Sequence, residues 1–597
     1  MKKEAIYHKA KSNYAYAYDK ETLHLRLRTA KDDIKSVHLY CADPYEWTCV
    51  NEGINEWAWN RQAYPVQKEF STSLYDYWMV EFKPPHKRFK YGFILNDGEQ
   101  ELLFCERGYF EVHDPGIIND SNSYFSFPYM NEEDIFNAPA WVKDTMWYQI
   151  FPERFANGNP DLNPENVLPW GSCDPTQETF FGGDLQGIIN QLDHLQALGI
   201  NGLYLTPIFE SPTTHKYDTI NYYEIDPHFG DKQTFKTLVT QAHERGMKIM
   251  LDAVFNHMGD TSPQWQDVIK HGENSRYKDW FFINSFPVVD EGGQAILGSY
   301  ETFGFATNMP KLNTNNKEVK AYLLDIATYW ITEFDIDAWR LDVANEIGHA
   351  FWRDFRKAVK AAKPDTYIVG ETWHDSTPWL LGDQFDSVMN YPLTKAIIEF
   401  VATDTTDEVV FVETLVDALY RYPQNVNEVM FNLLDSHDTV RLLSLANGNK
   451  NKVTLCYTML YSLPGSPCIF YGSEVGIDGE YDPLCRKCMV WDEALQDLDY
   501  FNHIQKLIEL RKTHDVIGNG GFIEFISFHD KTVAYRKYND NESIYFYFNN
   551  NDSAKSFTLH PQLQSTQVID LYTANIFEAP SSLKLEPFSF AILKCAK

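Results

Sequence analysis

The segment IDAWRLDVANE (336–346) contains a short, mainly apolar run that ends at Asp342. An apolar run of this length is typical of a buried strand, and the charges fall where the strand would end. Similar runs recur through the middle of the chain and alternate with helical segments. They are MWYQIF (146–151), GLYLTPIF (202–209), KIMLDAVFNH (248–257), IDAWRLDV (336–343), YIVGETW (367–373), DSVMNYP (386–392), VMFNLLDSH (429–437) and CIFYGSEVG (468–476).

Eight such strands separated by helices favour an α/β fold with a closed parallel (β/α)8 barrel, the TIM barrel, over an open sheet. One separating segment, DLQGIINQLDHLQALG (184–199), has apolar residues at helical spacing: Ile188, Leu192, Leu195 and Leu198. The stretch between the third and fourth strands, about 258–315, is too long for a simple βα-loop. It therefore predicts a small inserted subdomain.

The two ends of the chain have a different pattern. Residues 1–125 alternate apolar and polar residues, as in LHLRLR (23–28), and this predicts an N-terminal β-sandwich. Residues 126–140 are predicted to be a linker. The barrel is expected over 141–514. Strand alternation returns in FIEFISF and TVAYRKY and predicts a C-terminal β-sandwich over 515–597.

The overall charge limits the classes of partner. The chain has 84 acidic and 52 basic residues, a net charge of −32. Nucleic acids and anionic membranes are polyanions, so neither is expected as a partner, and a neutral substrate fits better. The N-terminal segment MKKEAIYHKAK has no apolar core, so no signal peptide is expected. No uninterrupted apolar stretch approaches the ~18 residues that a membrane span needs.

The cysteines indicate the compartment. Nine cysteines, an odd number scattered along the chain, are typical of reduced thiols and predict a cytoplasmic protein. Cys485 and Cys488 form one CxxC pair without a second pair or a nearby histidine cluster. A zinc site and two bystander thiols are both open interpretations of that pair.

Three carboxylates stand at predicted strand ends: Asp342, Glu371 and Asp438. In (β/α)8 enzymes the active site lies at the carboxyl ends of the strands. Hydrolysis of a glycosidic bond needs one carboxylic acid for the leaving oxygen and one carboxylate for the sugar carbon. Any one of the three could instead be a loop cap or a surface charge. Their convergence at one end of the barrel favours the catalytic interpretation.

The neighbours of these carboxylates suggest their roles. Arg340 lies two residues before Asp342, so a strand would put both on one face, and an adjacent arginine is expected to lower the pKa of Asp342. Glu371 lies beside Trp373, a less polar setting that is expected to raise its pKa and suit a general acid. His257 and His437 also fall at strand ends and could bind sugar hydroxyls, although a single histidine can equally be a structural hydrogen-bonding group.

Four segments together resemble the alpha-amylase superfamily, glycoside hydrolase family 13: DAVFNH (252–257), DAWRLDVANE (337–346), GETW (370–373) and SHDT (436–439). The resemblance implies that Asp342 is the nucleophile, Glu371 the acid/base, and Asp438 the carboxylate that holds sugar hydroxyls. It also implies substrate-binding roles at the cleavage point for four further residues, of which the first would be an aromatic platform under the sugar: Tyr148, His257, Arg340 and His437.

A finer resemblance is to the neopullulanase, cyclomaltodextrinase and maltogenic amylase subfamily. It rests on MPKLN (309–313), on VANE after Asp342, and on YQIFPERFANG (148–158). The resemblance implies a retaining hydrolase of α-1,4-glucosidic bonds, and as a second bond type α-1,6, in cyclodextrins, pullulan and maltooligosaccharides. It also implies a homodimer in which the N-terminal domain narrows the partner's cleft. No cofactor is needed for this chemistry.

Two positions depart from the subfamily's pattern. Asp435 stands where a glycine is usual, which would add a charge close to the site. Asn159 stands where the subfamily's calcium site generally has an aspartate. Oxygen ligands for a structural calcium could still come from five residues: Asn157, Asn159, Asn163, Gly182 and Asp184. The alternative is a loop ordered by its own hydrogen bonds.

Two other functions remain open at this point. With the same first chemical step, the chain could be mainly a transglycosylase, because acceptor sugar and water compete for one intermediate. A carbohydrate-binding or scaffold protein without activity could use the same fold, but the presence of all three carboxylates with Arg340 argues against it.

Overall fold

The computed structural model describes residues 1–51, 53, 55–564, 567–578 and 581–596. Over this part of the chain, an antiparallel β-domain is followed by a parallel barrel and then by a second antiparallel β-domain. This is the predicted fold class.

All eight predicted strand segments form strands of the barrel. Within the described residues they are Trp147–Ile150, Gly202–Leu205, Lys248–Ala253, Ala338–Leu341, Tyr367–Gly370, Ser387–Val388, Phe431–Asn432 and Ser466–Phe470. Each pairs in parallel with its neighbours, and the first pairs with the eighth. A parallel bridge between Met389 and Phe431 joins the sixth strand's end to the seventh and closes the ring.

The barrel interior is a packed core below the site. Large side chains from successive strands fill it, among them Trp147, Tyr204, Met250, Tyr367 and Phe431, each less than 2 % exposed. Because this core fills the barrel interior, a site is expected at the carboxyl ends of the strands.

Helices surround the barrel and cover its outer apolar face. They are Pro152–Phe155, Leu185–Asn190, Leu192–Leu198, Lys232–Glu244, Lys317–Phe334, His349–Ala362, Tyr391–Ile397, Glu408–Arg421, Gln424–Asn427, Leu442–Leu445, Lys450–Ser462 and Leu498–Thr513. Side-chain caps begin several of them: Asp231 accepts from Thr234 N–H and Asp407 from Val410 N–H. The single helix predicted in 184–199 is two short helices, with the predicted apolar residues buried against the barrel.

A separate unit follows the third strand, as predicted. It contains the helix Pro263–His271 and a hairpin of Thr302–Phe303 with Ala306–Pro310. An antiparallel bridge between His257 and Lys311 ties its end to the third strand's loop. The unit therefore stands beside the mouth of the barrel.

The N-terminal domain is antiparallel throughout its described residues. Its strands are Ala15–Ala17, Leu23–Ala30, Ser36–Ala42, Trp47–Asn51, Glu56–Trp59, Gln62–Ser71, Tyr75–Phe82, Phe89–Asn96, Glu101–Cys105, Gly108–Glu111 and Phe125–Phe127. Strand Gln62–Ser71 pairs with one layer through its first half and with the other through its second half, with a bulge between Lys68 and Phe70. The predicted linker, 126–140, differs from the structure at its start. Phe125–Phe127 pairs with Phe89–Asn96, and Phe127 and Met130 are buried in this domain's core.

The C-terminal domain is also built from antiparallel strands. Its elements are Phe522–His529, Thr532–Tyr538, Ser543–Asn549, Lys555–Thr558, the short helix Pro561–Gln564, Gln567–Asp570, Ile576–Glu578, Ser582–Leu585 and Ser589–Cys595. Phe525 of its first strand packs against Phe70 of the N-terminal domain. Arg26 of the N-terminal domain donates to the Tyr422 carbonyl at 2.9 Å and lies over the Tyr420 ring. The N-terminal domain therefore contacts both the C-terminal domain and the barrel segment around Tyr420 and Tyr422. Among the described residues, no helix combines the length and apolarity that crossing a membrane requires.

Candidate active site

The carboxyl ends of the barrel strands surround a cavity of about 660 Å³. The three predicted carboxylates, Asp342, Glu371 and Asp438, all line it. The inserted unit contributes Phe303, Asn308 and Met309, and Gln177 comes from the loop after the first strand. Segments distant in sequence therefore meet where sequence reasoning placed the site.

Arg340 connects two of these carboxylates from below. Its side chain is 1 % exposed, and Nη1 donates to Asp342 Oδ1 at 2.7 Å. Nη2 lies 2.9 Å from Glu371 Oε2. A third carboxylate, that of Asp252, lies at the end of the third strand. Both of its oxygens are 3.0 Å from Nη1. One buried guanidinium thus fixes three carboxylates, and Arg340 itself does not line the cavity.

Backbone geometry holds Glu371 in place. Val343 has φ 47°, in the left-handed region, and its N–H donates to Glu371 Oε2 at 2.9 Å. A β-branched residue seldom adopts this conformation because its side chain crowds the backbone. The other carboxylate oxygen, Oε1, accepts from the Trp373 indole N–H at 3.2 Å. Trp373 stacks on Tyr391 with ring centroids 3.6 Å apart and forms a half-exposed aromatic rim beside the acid.

Asp438 is held from the opposite side of the cavity. Its carboxylate lies 3.4 Å from Arg486 Nη2 and 3.1 Å from His437 Nε2. Arg486 also donates to the His437 carbonyl at 2.8 Å and pairs with Asp482 at 2.8 Å. Arg486 and Asp482 line the cavity but were not singled out in the sequence. His437 is fully buried behind Asp438 and does not line it.

The aromatic platform is not where the resemblance placed it. Tyr148 is 0 % exposed and packs between barrel and helices, with its hydroxyl donating to buried Glu474 at 2.7 Å. The next residue, Gln149, faces the barrel interior and contacts His437 Nδ1 at 2.7 Å. Because successive side chains of a strand point to opposite faces, Tyr148 has to point away from the site. The prediction for Tyr148 is wrong.

Tyr217 is the tyrosine that lines the cavity. It comes from the loop after the second strand, in HKYDT (215–219), and its ring is parallel to His437, 5.4 Å between centroids. Its hydroxyl lies 3.0 Å from Asp252 Oδ2 and 2.6 Å from His437 Nε2. Sequence reasoning missed it because a loop residue has no periodicity, and only its position after a barrel strand marks it.

His257 lines the cavity, and its contact with a sugar stays a prediction. Burial lowers its pKa to about 3, so its ring is neutral at neutral pH. Nε2 is 3.1 Å from the Tyr217 carbonyl, and the ring stacks on Phe303 of the inserted unit. His257 therefore links the loops that form this wall of the cavity.

The electrostatics of the carboxylate cluster differ from expectation. Burial raises the pKa of Asp342 well above its usual value, Arg340 opposes that rise, and Glu371 and Asp252 add to it. The predicted lowering is therefore wrong in direction, because burial, with the two neighbouring carboxylates, outweighs the effect of Arg340. Burial likewise raises the pKa of Asp252 to about 6. Burial therefore affects the pKa of both carboxyls more than their contact with Arg340 does.

Asp435 does not reach the cavity. It is 3 % exposed, and Oδ2 accepts from the Leu442 N–H at 3.0 Å and from the Ser473 hydroxyl at 3.1 Å. Its added charge, expected close to the site, instead joins the strand-seven loop to the strand-eight loop.

The five residues proposed for calcium lie together, but their oxygens are partly used. Asp184 accepts from the N–H groups of Gly158, Asn159 and Gly187, at 2.6 to 3.2 Å. Asn157 donates to Asn163 Oδ1 at 2.9 Å, and a Cβ on Gly182 would collide with both asparagines. The Asn157 Oδ1 atom is buried and has no hydrogen-bond partner within the described chain, so one oxygen remains free for a cation.

The CxxC cysteines are buried, and Cys485 Sγ donates to the His437 carbonyl at 3.2 Å. Across the described residues, no group of three or more His, Cys, Asp or Glu side chains is arranged to hold a metal. The thiols therefore have a packing role next to the site.

Comparison with known proteins is consistent with this geometry. The alpha amylase catalytic domain model matches residues 149–496, and the alpha amylase N-terminal ig-like domain model matches 1–131. The chain is 50% identical over 597 residues to a cyclomaltodextrinase of Geobacillus thermopakistaniensis (strain MAS1), covering 99% of each. It is 46% identical over 600 residues to an intracellular maltogenic amylase of Bacillus subtilis, covering 100% of each. A solved cyclomaltodextrinase structure superposes with a TM-score of 0.91 at 45% identity, again over 100% of both chains.

Proposed function

This chain belongs to the alpha-amylase family of glycosidases, and we propose that it hydrolyses α-1,4-glucosidic bonds of cyclodextrins, pullulan and maltooligosaccharides, with α-1,6 bonds as a second target. The observation that carries the proposal is the shared guanidinium: Arg340 contacts Asp342 through one terminal nitrogen and Glu371 through the other. Two carboxyl groups fixed beside each other at a cavity wall are what a retaining glycosidase uses.

In the proposed first step, Glu371 protonates the leaving glycosidic oxygen while Asp342 attacks the sugar carbon. A covalent glucosyl-enzyme forms, and the leaving sugar departs with the proton. In the second step Glu371 removes a proton from water, and the water oxygen attacks the same carbon. The bond between that carbon and Asp342 breaks, which restores the Asp342 carboxylate and releases the α-anomeric product. Arg340 remains beside both carboxylates throughout and limits repulsion as their charges change.

We assign Asp438 to sugar hydroxyls at the cleavage point. Arg486 and His437 hold its carboxylate, and burial raises its pKa while Arg486 opposes that rise. Tyr217 takes the aromatic role first given to Tyr148, since its ring lines the cavity between His437 and the carboxylate cluster. Neutral His257 would add a hydrogen-bonding group at the same wall.

The experiment that tests the function is digestion of cyclodextrin, pullulan, starch and maltotriose, with product chromatography and proton NMR of fresh product. We expect the α-anomer first and fastest cleavage of cyclodextrin. Asp342→Asn and Glu371→Gln should each lower turnover at least ~10³-fold because each removes a group that acts in the transition state. An initial β-product would contradict the mechanism. Transfer products that dominate at both low and high substrate concentration would indicate a transglycosylase instead.

We also propose a homodimer in the cytoplasm. The N-terminal hairpin of Trp47–Asn51 and Glu56–Trp59 exposes Trp57 and Val50, and Tyr45 nearby is 77 % exposed. An exposed apolar group of this kind is typical of an interaction surface. The name of the Bacillus subtilis relative and the odd number of free thiols support the location.

A structural calcium remains a proposal. The free Asn157 Oδ1 and the neighbouring Asn163 and Asp184 are the groups that would hold it, together with main-chain oxygens of the loop. A bound calcium would supply loop rigidity rather than chemistry, because none of the five proposed ligand residues lines the cavity.

A further inference from the structure

We propose that Tyr204, a buried tyrosine of the second barrel strand, is a positioning residue for the catalytic carboxylates and acts through Asp252 and Arg340. The inference deepens the proposed function, from which it takes the roles of Asp342 and Glu371. Tyr204 lies in no segment that the sequence marks as functional.

The hydroxyl of Tyr204 is the unusual part of this residue. The side chain is 0 % exposed inside the barrel, and its ring packs edge-on against Phe431. Phenylalanine would fill this apolar space equally well, so a hydroxyl needs a partner to offset its loss of hydration. The partner is a carboxylate: the hydroxyl donates to Asp252 Oδ2 at 2.7 Å.

Asp252 in turn fixes the orientation of Arg340. Both of its oxygens lie 3.0 Å from Nη1, and that nitrogen also donates to Asp342. A guanidinium is planar, so the position of Nη1 sets the direction of Nη2. In this structure Nη2 points towards Glu371. Displacing Asp252 would therefore turn Arg340 away from both catalytic groups.

Two tyrosines donate hydrogen bonds to Asp252, and they differ in whether a bound sugar would disturb that hydrogen bond. Tyr217 lies 3.0 Å from Asp252 Oδ2, but its ring lines the cavity and its hydroxyl also meets His437. A bound sugar would contact Tyr217 directly. Tyr204 is enclosed by the barrel core, so its hydrogen bond stays the same whether or not the cavity is filled.

The charged groups around Asp252 give this role a pH signature. Arg340 and the Tyr204 hydroxyl lower its pKa, burial and Glu371 raise it, and ionised Asp252 in turn raises the pKa of Asp342. Removing the hydroxyl makes Asp252 easier to protonate. Neutral Asp252 no longer repels the charge on Asp342, so Asp342 should ionise at lower pH.

The test is Tyr204→Phe in the full-length enzyme, acting on cyclodextrin across pH. We expect kcat about tenfold lower, KM within about twofold, and the acid limb of kcat/KM displaced to lower pH, because a hydrogen bond to a charged group has been removed. The matched control is Tyr367→Phe. Tyr367 is also fully buried in the barrel core, but its hydroxyl donates to the Val429 carbonyl, far from the carboxylates along the strands. Its profile should match the wild type.

Two further measurements complete the design. In an Asp252→Asn background, Tyr204→Phe should cost no additional activity, because the path through Asp252 is already broken. If Tyr204→Phe does not fold, 3-fluorotyrosine at 204 keeps the ring and strengthens the donor, and the acid limb should then move to higher pH. A Tyr204→Phe profile identical to Tyr367→Phe, or full additivity with Asp252→Asn, would overturn the proposal. An inactive wild type would instead refute the proposed function.

Discussion

Replacing Arg340 with methionine should make the thermal stability and the activity of the enzyme more dependent on pH than they are in the wild type. Arg340 is 1 % exposed and contacts Asp252, Asp342 and Glu371 at 2.7 to 3.0 Å. Methionine replaces the apolar stem of arginine and carries no charge. It would leave three buried carboxylates without their cation.

The size of the effect follows from the burial. Removing one partner of a buried ion pair costs about 3–5 kcal/mol, because the remaining charges stay desolvated. Carboxylates can reduce this cost by binding protons. Arg340 lowers the pKa of both Asp252 and Asp342, so in the variant both pKa values rise further. A carboxyl whose pKa is higher in the folded than in the unfolded protein destabilises the fold as pH rises.

The pH range follows from the wild-type pKa of Asp252, about 6. Below it, this carboxyl is protonated in both proteins and the variant should lose little. Above it, the wild type ionises against Arg340 and the variant cannot, so the difference grows. We expect Tm of Arg340→Met to fall about 2–4 °C below wild type at pH 8.0 and much less at pH 5.5.

The assay is thermal unfolding by circular dichroism at both pH values, with cyclodextrin turnover measured in parallel. Arg340→Lys is the matched control, because it keeps the charge but cannot contact two carboxylates through a planar fork. It should keep most of the stability at pH 8.0 and lose turnover. An equal Tm deficit of Arg340→Met at both pH values, or full turnover in Arg340→Lys, would refute this account.

Three other outcomes are expected. Tyr217→Ala should raise KM for cyclodextrin and lower kcat/KM at least tenfold, because the Tyr217 ring lines the cavity. Tyr148→Phe should change the kinetic constants less than twofold and lower Tm, because Tyr148 is buried away from the cavity. Equal kinetic losses in the two variants would mean that Tyr148 does belong to the site. Deleting residues 1–131 should give a monomer by light scattering with less cyclodextrin cleavage relative to starch; a full-length monomer whose activity ratio is unchanged by the deletion would contradict the dimer. Calcium should raise Tm in the wild type but not in Asn157→Ala, without changing kcat; equal Tm with calcium and with a chelator would argue against the cation.

The sequence predicted the positions of the barrel strands better than the directions in which individual side chains point. Eight apolar runs were enough to place the barrel strands, because a run of that length between helices has few alternatives. The same runs could not say which of two neighbouring residues faces inward. Tyr148 and Gln149 are adjacent in one strand and point to opposite faces. Tyr148 lies in the core and contacts Glu474, whereas Gln149 points into the barrel and contacts His437.

Electrostatic predictions from neighbours in sequence had a similar limit. Arg340 was correctly expected beside Asp342, but its other partners, Asp252 and Glu371, come from different strands. The direction of the Asp342 pKa depends on all of them and on burial, and neither is visible from a two-residue spacing. The prediction that Asp435 adds a charge close to the site failed for a similar reason, since its partner Ser473 follows a different barrel strand.

The left-handed backbone at Val343 bears on how this enzyme could be made more stable. A valine at φ 47° is held against its own preference, and a residue that accepts that conformation, such as glycine, would relieve the crowding. Yet the same conformation aims the Val343 N–H at Glu371. Glycine would also let this peptide move when the acid changes charge. Selection for heat resistance alone would therefore have little reason to keep valine at this position. Directed evolution that screens only for survival after heating would replace it, and Glu371 would lose the fixed orientation on which turnover depends.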